Sequence, residues 1–238
     1  SNMSYIRYDH NDKRMTFATE HTQHMFLDEN GKLGVGTNSP NEGRLVVQDG
    51  TKAELVIKTS ATATDTEAAL MFKISTDTVD QRKKGGIIYK DVGDNGIGDM
   101  FFVLDSATDN GSATVADNAV MALKNDGNVG IGNVTPNEAL VVSKSAGVPV
   151  IEISAFSTTD THKGVLSFQK SSSATINTMA ATAANEDLGR IIARGVNTSP
   201  AVDDAAAILF EGDAAPDADA VPGRISFWTS DAATLQER

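Results

Sequence analysis

The sequence predicts an all-β protein made of tandem antiparallel β repeats, packed as a sandwich or a prism. Three observations predict it. The stretch from Met25 to Pro40 recurs from Met121 to Pro136, 96 residues further on, and an internal repeat sets the architecture of a chain. The remaining apolar residues fall in short runs rich in β-branched and aromatic side chains, separated by Thr-, Asp- and Gly-rich turns. That is the pattern of strands joined by tight connections. Aromatic residues make up only 5% of the 238 residues, so the core is thin for the chain's length, which suggests either marginal domains or burial against other subunits.

Taken in order, Ser1-Asn2-Met3 reads as a scar left by tag removal and stands outside the fold argument. Tyr5 to Tyr8 and Arg14 to Phe17 each alternate apolar with polar residues around a polar turn, which predicts two leading strands. Met25 to Leu27 is the next strand. Asn30-Gly31 then supplies residues that tolerate positive φ in a tight hairpin turn. In the return strand Leu33 and Val35 alternate with Gly34 and Gly36. One face of it carries no side chains, so a backbone lies close against it or the strand bends there. The second copy has the same order: Asp126-Gly127 at the turn, then Val129, Gly130, Ile131 and Gly132. Both copies run on through Pro and Asn-Glu into Leu45–Val47 and Leu140–Val142. With Gly43 set aside as an insertion, 11 of 22 aligned positions are identical.

Further strands are expected at Leu55–Ile57, Leu70–Ile74, Ile87–Tyr89 and Met100–Leu104. Their counterparts in the second copy are Ile151–Ile153, Leu166–Phe168, Gly189–Ile192 and Arg224–Trp228, after an eight-residue insertion between Ile176 and Asp187. The Ala-rich insertion suggests a short helix. Ala201 to Pro222 reads as a surface loop with one strand at Ile208–Phe210. The expected organisation is therefore leading strands over residues 1–24, a first β repeat over 25–120 and a second over 121–238. The C-terminus reads as a cut through a longer array, because the next Met-x-apolar strand is due after Arg238.

The pattern apolar-x-apolar, then Asp126-Gly127-Asn128-Val129-Gly130-Ile131-Gly132, Pro136 and Leu140 resembles the repeated element of bacteriophage tail-fibre and tail-spike proteins. Asn133 departs from the usual Thr, which Thr37 restores in the first copy. In that family the element often lies upstream of a self-cleaving chaperone domain similar to that of endosialidase, but nothing in this sequence resembles its catalytic segment. The resemblance implies an elongated homotrimeric fibre of the virion tail, made in the host cytoplasm, that spaces and trimerises the host-recognition apparatus. Glycines at alternate positions suit a crowded symmetry axis, so Gly34, Val35, Gly36, Val129, Gly130, Ile131 and Gly132 are the candidate oligomerisation residues. A second reading makes the loops Asp91–Asp99, Ala174–Asp187 and Ala201–Pro222 a surface that binds host polysaccharide or receptor, since repeats place insertions on one face. A bacterial surface adhesin repeat and a polysaccharide depolymerase are further readings.

Several chemistries have little support in the sequence. With 20 basic and 32 acidic residues the net charge is −12, which repels nucleic acid and anionic membrane. No apolar run approaches the about 18 residues of a transmembrane helix. There is no cysteine, so no thiolate site or disulfide exists. The paired glycines lack the third glycine and following helix of a nucleotide site, and no cofactor is expected. Asp91, Asp94 and Asp99 form the densest cluster of oxygen ligands, a weak calcium candidate without the spacing of a calcium loop. His21 and His24 stand three apart and would face opposite sides of a strand. Acids at Asp203, Asp204, Glu211, Asp213, Asp217 and Asp219 have one tryptophan, Trp228, near them in sequence, which is little for gripping a sugar during hydrolysis. The expected protein is not an enzyme.

Overall fold

Alternating apolar residues punctuated by Gly, Asn and Asp fold into three sheets. The computed structural model describes residues 4–20, 22–41, 43–60, 63–74, 82–230 and 235–237. Packing divides the chain into two compact units, Ser1–Pro149 and Val150–Arg238. This differs in kind from the division into sequence repeats: the second glycine-rich copy lies in the first unit.

The first sheet of that unit holds β1 (Tyr5–Asp9), β2 (Arg14–Thr19), β3 (Thr22–Leu27), β4 (Leu33–Val35) and β5 (Leu45–Val47), in that order. All neighbours are antiparallel except β4 and β5, which are parallel. The second sheet holds β6 (Glu67–Phe72), β7 (Gly85–Asp91), β8 (Gly98–Leu104), β9 (Ala119–Leu123), β10 (Val129–Ile131) and β11 (Leu140–Val142), again paired in sequence order. Here β10 and β11 form the parallel pair. The repeated sequence therefore folds into a repeated motif: an antiparallel hairpin followed by a short parallel strand.

The core of the first unit sits on one face of the second sheet. Ile88, Phe101, Val103 and Ala122 are buried there with Ala113 and Val115. Val115 belongs to the short helix α1 (Val115–Asn118), which the sequence reading did not predict. Its start is capped by Thr114, whose hydroxyl accepts from the Asp117 N–H at 3.2 Å, a bond that such helices need at their first turn. At the end of this core lies a buried carboxylate. Asp99, 1% exposed, pairs with the Lys124 ammonium and accepts the Asn125 N–H at 2.9 Å.

The second unit holds β12 (Asp187–Val196), β13 (Val202–Gly212), β14 (Gly223–Ser230) and β15 (Leu235–Glu237), an antiparallel meander. Three expectations change here. Within Ala201–Pro222 the one strand expected at Ile208–Phe210 forms but is much longer, β13 (Val202–Gly212), and it, not Arg224–Trp228, follows β12 as β8 follows β7. The short helix expected between Ile176 and Asp187 does not form: Asn177 and Asn185 have φ of 64° and 61°, left-handed values that interrupt a right-handed helix. The strands expected at Leu55–Ile57, Ile151–Ile153 and Leu166–Phe168 take no place in a sheet. A strand needs a partner as well as a pattern.

Candidate association surfaces

The two glycine-rich copies share their local geometry. In the first, the Asp28 carboxylate accepts the N–H groups of Asn30 and Lys32 at 2.9 and 2.8 Å, and Gly31 turns the chain at φ 72°. In the second, Asp126 accepts the Asn128 N–H at 3.0 Å, and Gly127 has φ 93°. These turns bring β4 back on β3 and β10 back on β9, with Met25 opposite Val35 and Met121 opposite Ile131.

The glycines of the return strands do face a nearby backbone, and that backbone is the chain's own. A Cβ on Gly34 or Gly130 would collide with the carbonyl of Thr37 or Asn133. Gly36 and Gly132 combine positive φ, 75° and 67°, with carbonyls of Gln48 and Ser143 where a Cβ would sit. There the chain leaves the hairpin and swings round to the parallel strand, held by Gln48 N–H to Val35 O at 2.8 Å and Ser143 N–H to Ile131 O at 2.9 Å.

The apolar residues between the glycines point elsewhere. Cross-strand register places Ile131 beside Met121 and Val142, Met121 beside Phe102, Phe102 beside Ile87 and Ile87 beside Leu70. These six residues form one apolar row across all six strands, on the face opposite the buried core. A neighbouring row runs through Tyr89, Met100, Leu123, Val129 and Leu140. The first sheet repeats the design, with a row Ile6, Phe17, Met25, Val35 and Val47 beside a row Tyr8, Met15, Leu27, Leu33 and Leu45. These faces are open in the single chain: Ile6 is 71% exposed, Val35 37%, Leu70 44%, Ile131 45% and Leu140 57%. The third sheet has Ile191, Ile208 and Phe227 in register on one face, with Ile191 and Phe227 exposed. Each row was hidden in the sequence, because its members come from different strands. The apolar run of each strand was the available signal, and the pairing was not.

The other candidates are tied up within the chain. Among the described residues no group of three His, Asp or Glu side chains is placed to hold a metal ion. Asp99 is committed to Lys124 and Asn125, and Asp91 accepts the Gly93 N–H at 3.1 Å. Asp94 begins a single helical turn, Asp94–Gly96. His24 shares a hydrogen bond with Thr19 at 2.7 Å, and His21 lies outside the described residues. Asp204 pairs with Arg190 and Arg194 at 2.9 and 3.0 Å. The Arg224 guanidinium holds the Glu211 carboxyl below its ordinary value. Lys84 clamps Asp105 and Asp109 at 2.6 and 2.8 Å, and its hydrogen bonds lower both carboxyls. Among the described residues no helix is long and apolar enough to cross a membrane.

The arrangement of three sheets is similar to known architecture. The structure superimposes on the carboxy-terminal domain of the bacteriophage T5 L-shaped tail fibre with its intra-molecular chaperone domain, at a TM-score of 0.60 over 81% of this chain. The fold is that of a phage tail-fibre domain. A second structure of the T5 tail-fibre domain gives a TM-score of 0.56, over 81% of this chain and 84% of the other. Sequence identities are 12% and 9%, so the tail-fibre likeness is one of fold. The chain spans 58% of the length of the structure that includes the chaperone domain. No family model matches the chain, and no curated protein matches it.

Proposed function

We propose that this chain is a structural segment of a phage tail fibre in the virion, in which identical chains associate as a homotrimer and space the host-recognition apparatus from the particle. The observation that carries this is the set of apolar rows across the sheets. A monomer gains nothing from leaving Ile6, Leu70 and Leu140 exposed, and contiguous apolar patches of this kind mark association surfaces. Copies of the chain present the same rows, so the faces are complementary in chemistry and spacing by symmetry. Val35, Val129 and Ile131 lie on those rows, and Gly34, Gly36, Gly130 and Gly132 shape the strands that carry them. The number three comes from the resemblance of the glycine-rich element to tail fibres. Sedimentation equilibrium tests it: a mass three times that of the chain is expected, and a monomer at micromolar concentration overturns the reading.

A host-glycan-binding role for the same fibre segment is the second reading. A cavity of about 230 Å³ beside Trp228 favours it.

A further inference from the structure

We infer that the β12–β15 sheet carries a saccharide subsite built on Trp228, which takes one neutral hexose ring of a surface polysaccharide. The inference deepens the glycan-binding reading by giving it a place and a ligand class. Within β13, Ile208 and Phe210 point to one face and Ala207 and Leu209 to the other. Trp228 is opposite Ala207, while Ser226 and Arg190 are opposite Leu209. The sheet thus has an apolar face, with Ile191, Ile208 and Phe227, and a second face that holds the chain's one tryptophan. If the apolar face turns toward neighbouring copies, the tryptophan face turns away from them.

The cavity on this second face is lined by Asp187, Arg190, Ala207, Leu209, Trp228 and Leu235. Binding sites combine apolar and aromatic walls with a few placed polar groups. A hexose asks for that combination: its C–H faces pack on an aromatic wall, and its hydroxyls need both donors and acceptors. Asp187 supplies an acceptor and Arg190 donors. One bond of Arg190 goes to Asp204 at 2.9 Å, and a guanidinium has five N–H groups. The volume of about 230 Å³ is below the roughly 300 Å³ at which drug-sized sites begin, which suits a single ring. The net charge of −12 and the existing Arg190–Asp204 pair disfavour an anionic sugar.

The tryptophan is held by a buried polar chain. Its indole N–H donates to the Ser226 hydroxyl at 2.7 Å, and that hydroxyl donates to Glu211 at 3.0 Å. Arg224 donates twice to the same carboxylate, at 3.2 and 3.1 Å. Ser226 and Glu211 are 4% and 8% exposed. A buried ion pair is weak evidence for added stability. What this one does is fix the orientation of an aromatic wall, as a binding site requires.

A single tryptophan makes the test direct, because its fluorescence reports on this cavity alone. The intact chain is titrated with methyl mannoside, methyl glucoside and methyl galactoside, and with N-acetylneuraminic acid as the anionic comparison. A saturable change with at least one neutral hexoside, and none with the acid, is expected. Arg190→Ala should raise the half-saturation concentration about tenfold, as loss of a hydrogen bond to a charged group does. Trp228→Phe, read by calorimetry, keeps an apolar wall and should weaken binding without unfolding the sheet. No saturable response to any neutral hexoside, an equal response in Arg190→Ala, or binding of the acid alone overturns the inference. Sedimentation of the same samples reads association separately. An assembled chain with silent fluorescence removes the subsite and leaves the fibre reading standing, and a responsive monomer does the reverse.

Discussion

Replacing Ile131 with Asp probes one of the candidate association faces. In a single chain Ile131 is 45% exposed, and in its row it lies between Met121 and Val142. Burying a whole isoleucine is worth about 1.5–3 kcal/mol, so covering the open part in an assembly contributes about 1 kcal/mol per chain. A carboxylate on that face must instead be desolvated, at several kcal/mol per ion after relaxation. With one copy per chain, a trimer loses about 10 kcal/mol or more, which is many decades in an association constant at tenfold per 1.4 kcal/mol. The single chain loses far less, because the carboxylate can stay hydrated there. Sedimentation velocity should therefore show a folded, unassociated variant, with Ile131→Leu still assembled. An Ile131→Asp chain that sediments like the parent would refute the assignment of this face to the interface.

Other perturbations address the chain itself. Gly132→Val places a branched side chain at φ 67° against the Ser143 carbonyl and should lower stability by roughly 2–4 kcal/mol. Its urea midpoint should fall even where no association occurs, and an unchanged midpoint would remove the crossover argument. Asp99→Asn leaves the Lys124 ammonium without its buried partner and should destabilise by about 2–3 kcal/mol, allowing for the partial exposure of the lysine; equilibrium denaturation checks it. Asp105 and Asp109 have folded values below the ordinary 3.8 because of Lys84. Their stabilising contribution is therefore complete above that value and is lost as pH falls through the lowered ones. Lys84→Met should flatten the acid limb of the stability profile, and an unaltered limb would show that the clamp contributes nothing.

Much of the fold was legible because the strongest signals are local. The Asn30-Gly31 and Asp126-Gly127 turns and the apolar runs Met25–Leu27 and Met121–Leu123 each lie within a few residues. The repeat then made the second motif readable from the first. What failed depended on partners distant in sequence. Leu55–Ile57 and Ile151–Ile153 carry β-branched apolar residues, yet nothing within them says whether a neighbouring strand is at hand. In Val202–Gly212 only Ile208–Phe210 read as a strand, and the Asp- and Ala-rich part before it looked like a loop. It becomes a strand because β12 and β14 pair with it on both sides. The glycines at 34, 36, 130 and 132 announced a close backbone, but their sequence could not say whose. The apolar rows were equally hidden, since Leu70 and Val142 meet the same face only once six strands are in register.

Those rows also set a problem in time. A newly made chain displays them before it finds its partners, and exposed apolar strands promote indiscriminate clustering of incompletely assembled protein. In the proposed fibre, the interface that would make the assembly durable is thus a hazard to its precursor. The net charge of −12 works on the precursor in the opposite sense, because like-charged chains repel at long range while apolar faces attract only on contact. Chance collisions are discouraged, and an encounter that brings row against row in register is retained. Raised ionic strength would weaken the repulsion without touching the apolar attraction, so unassembled chains should clump faster in high salt while finished fibres stay intact.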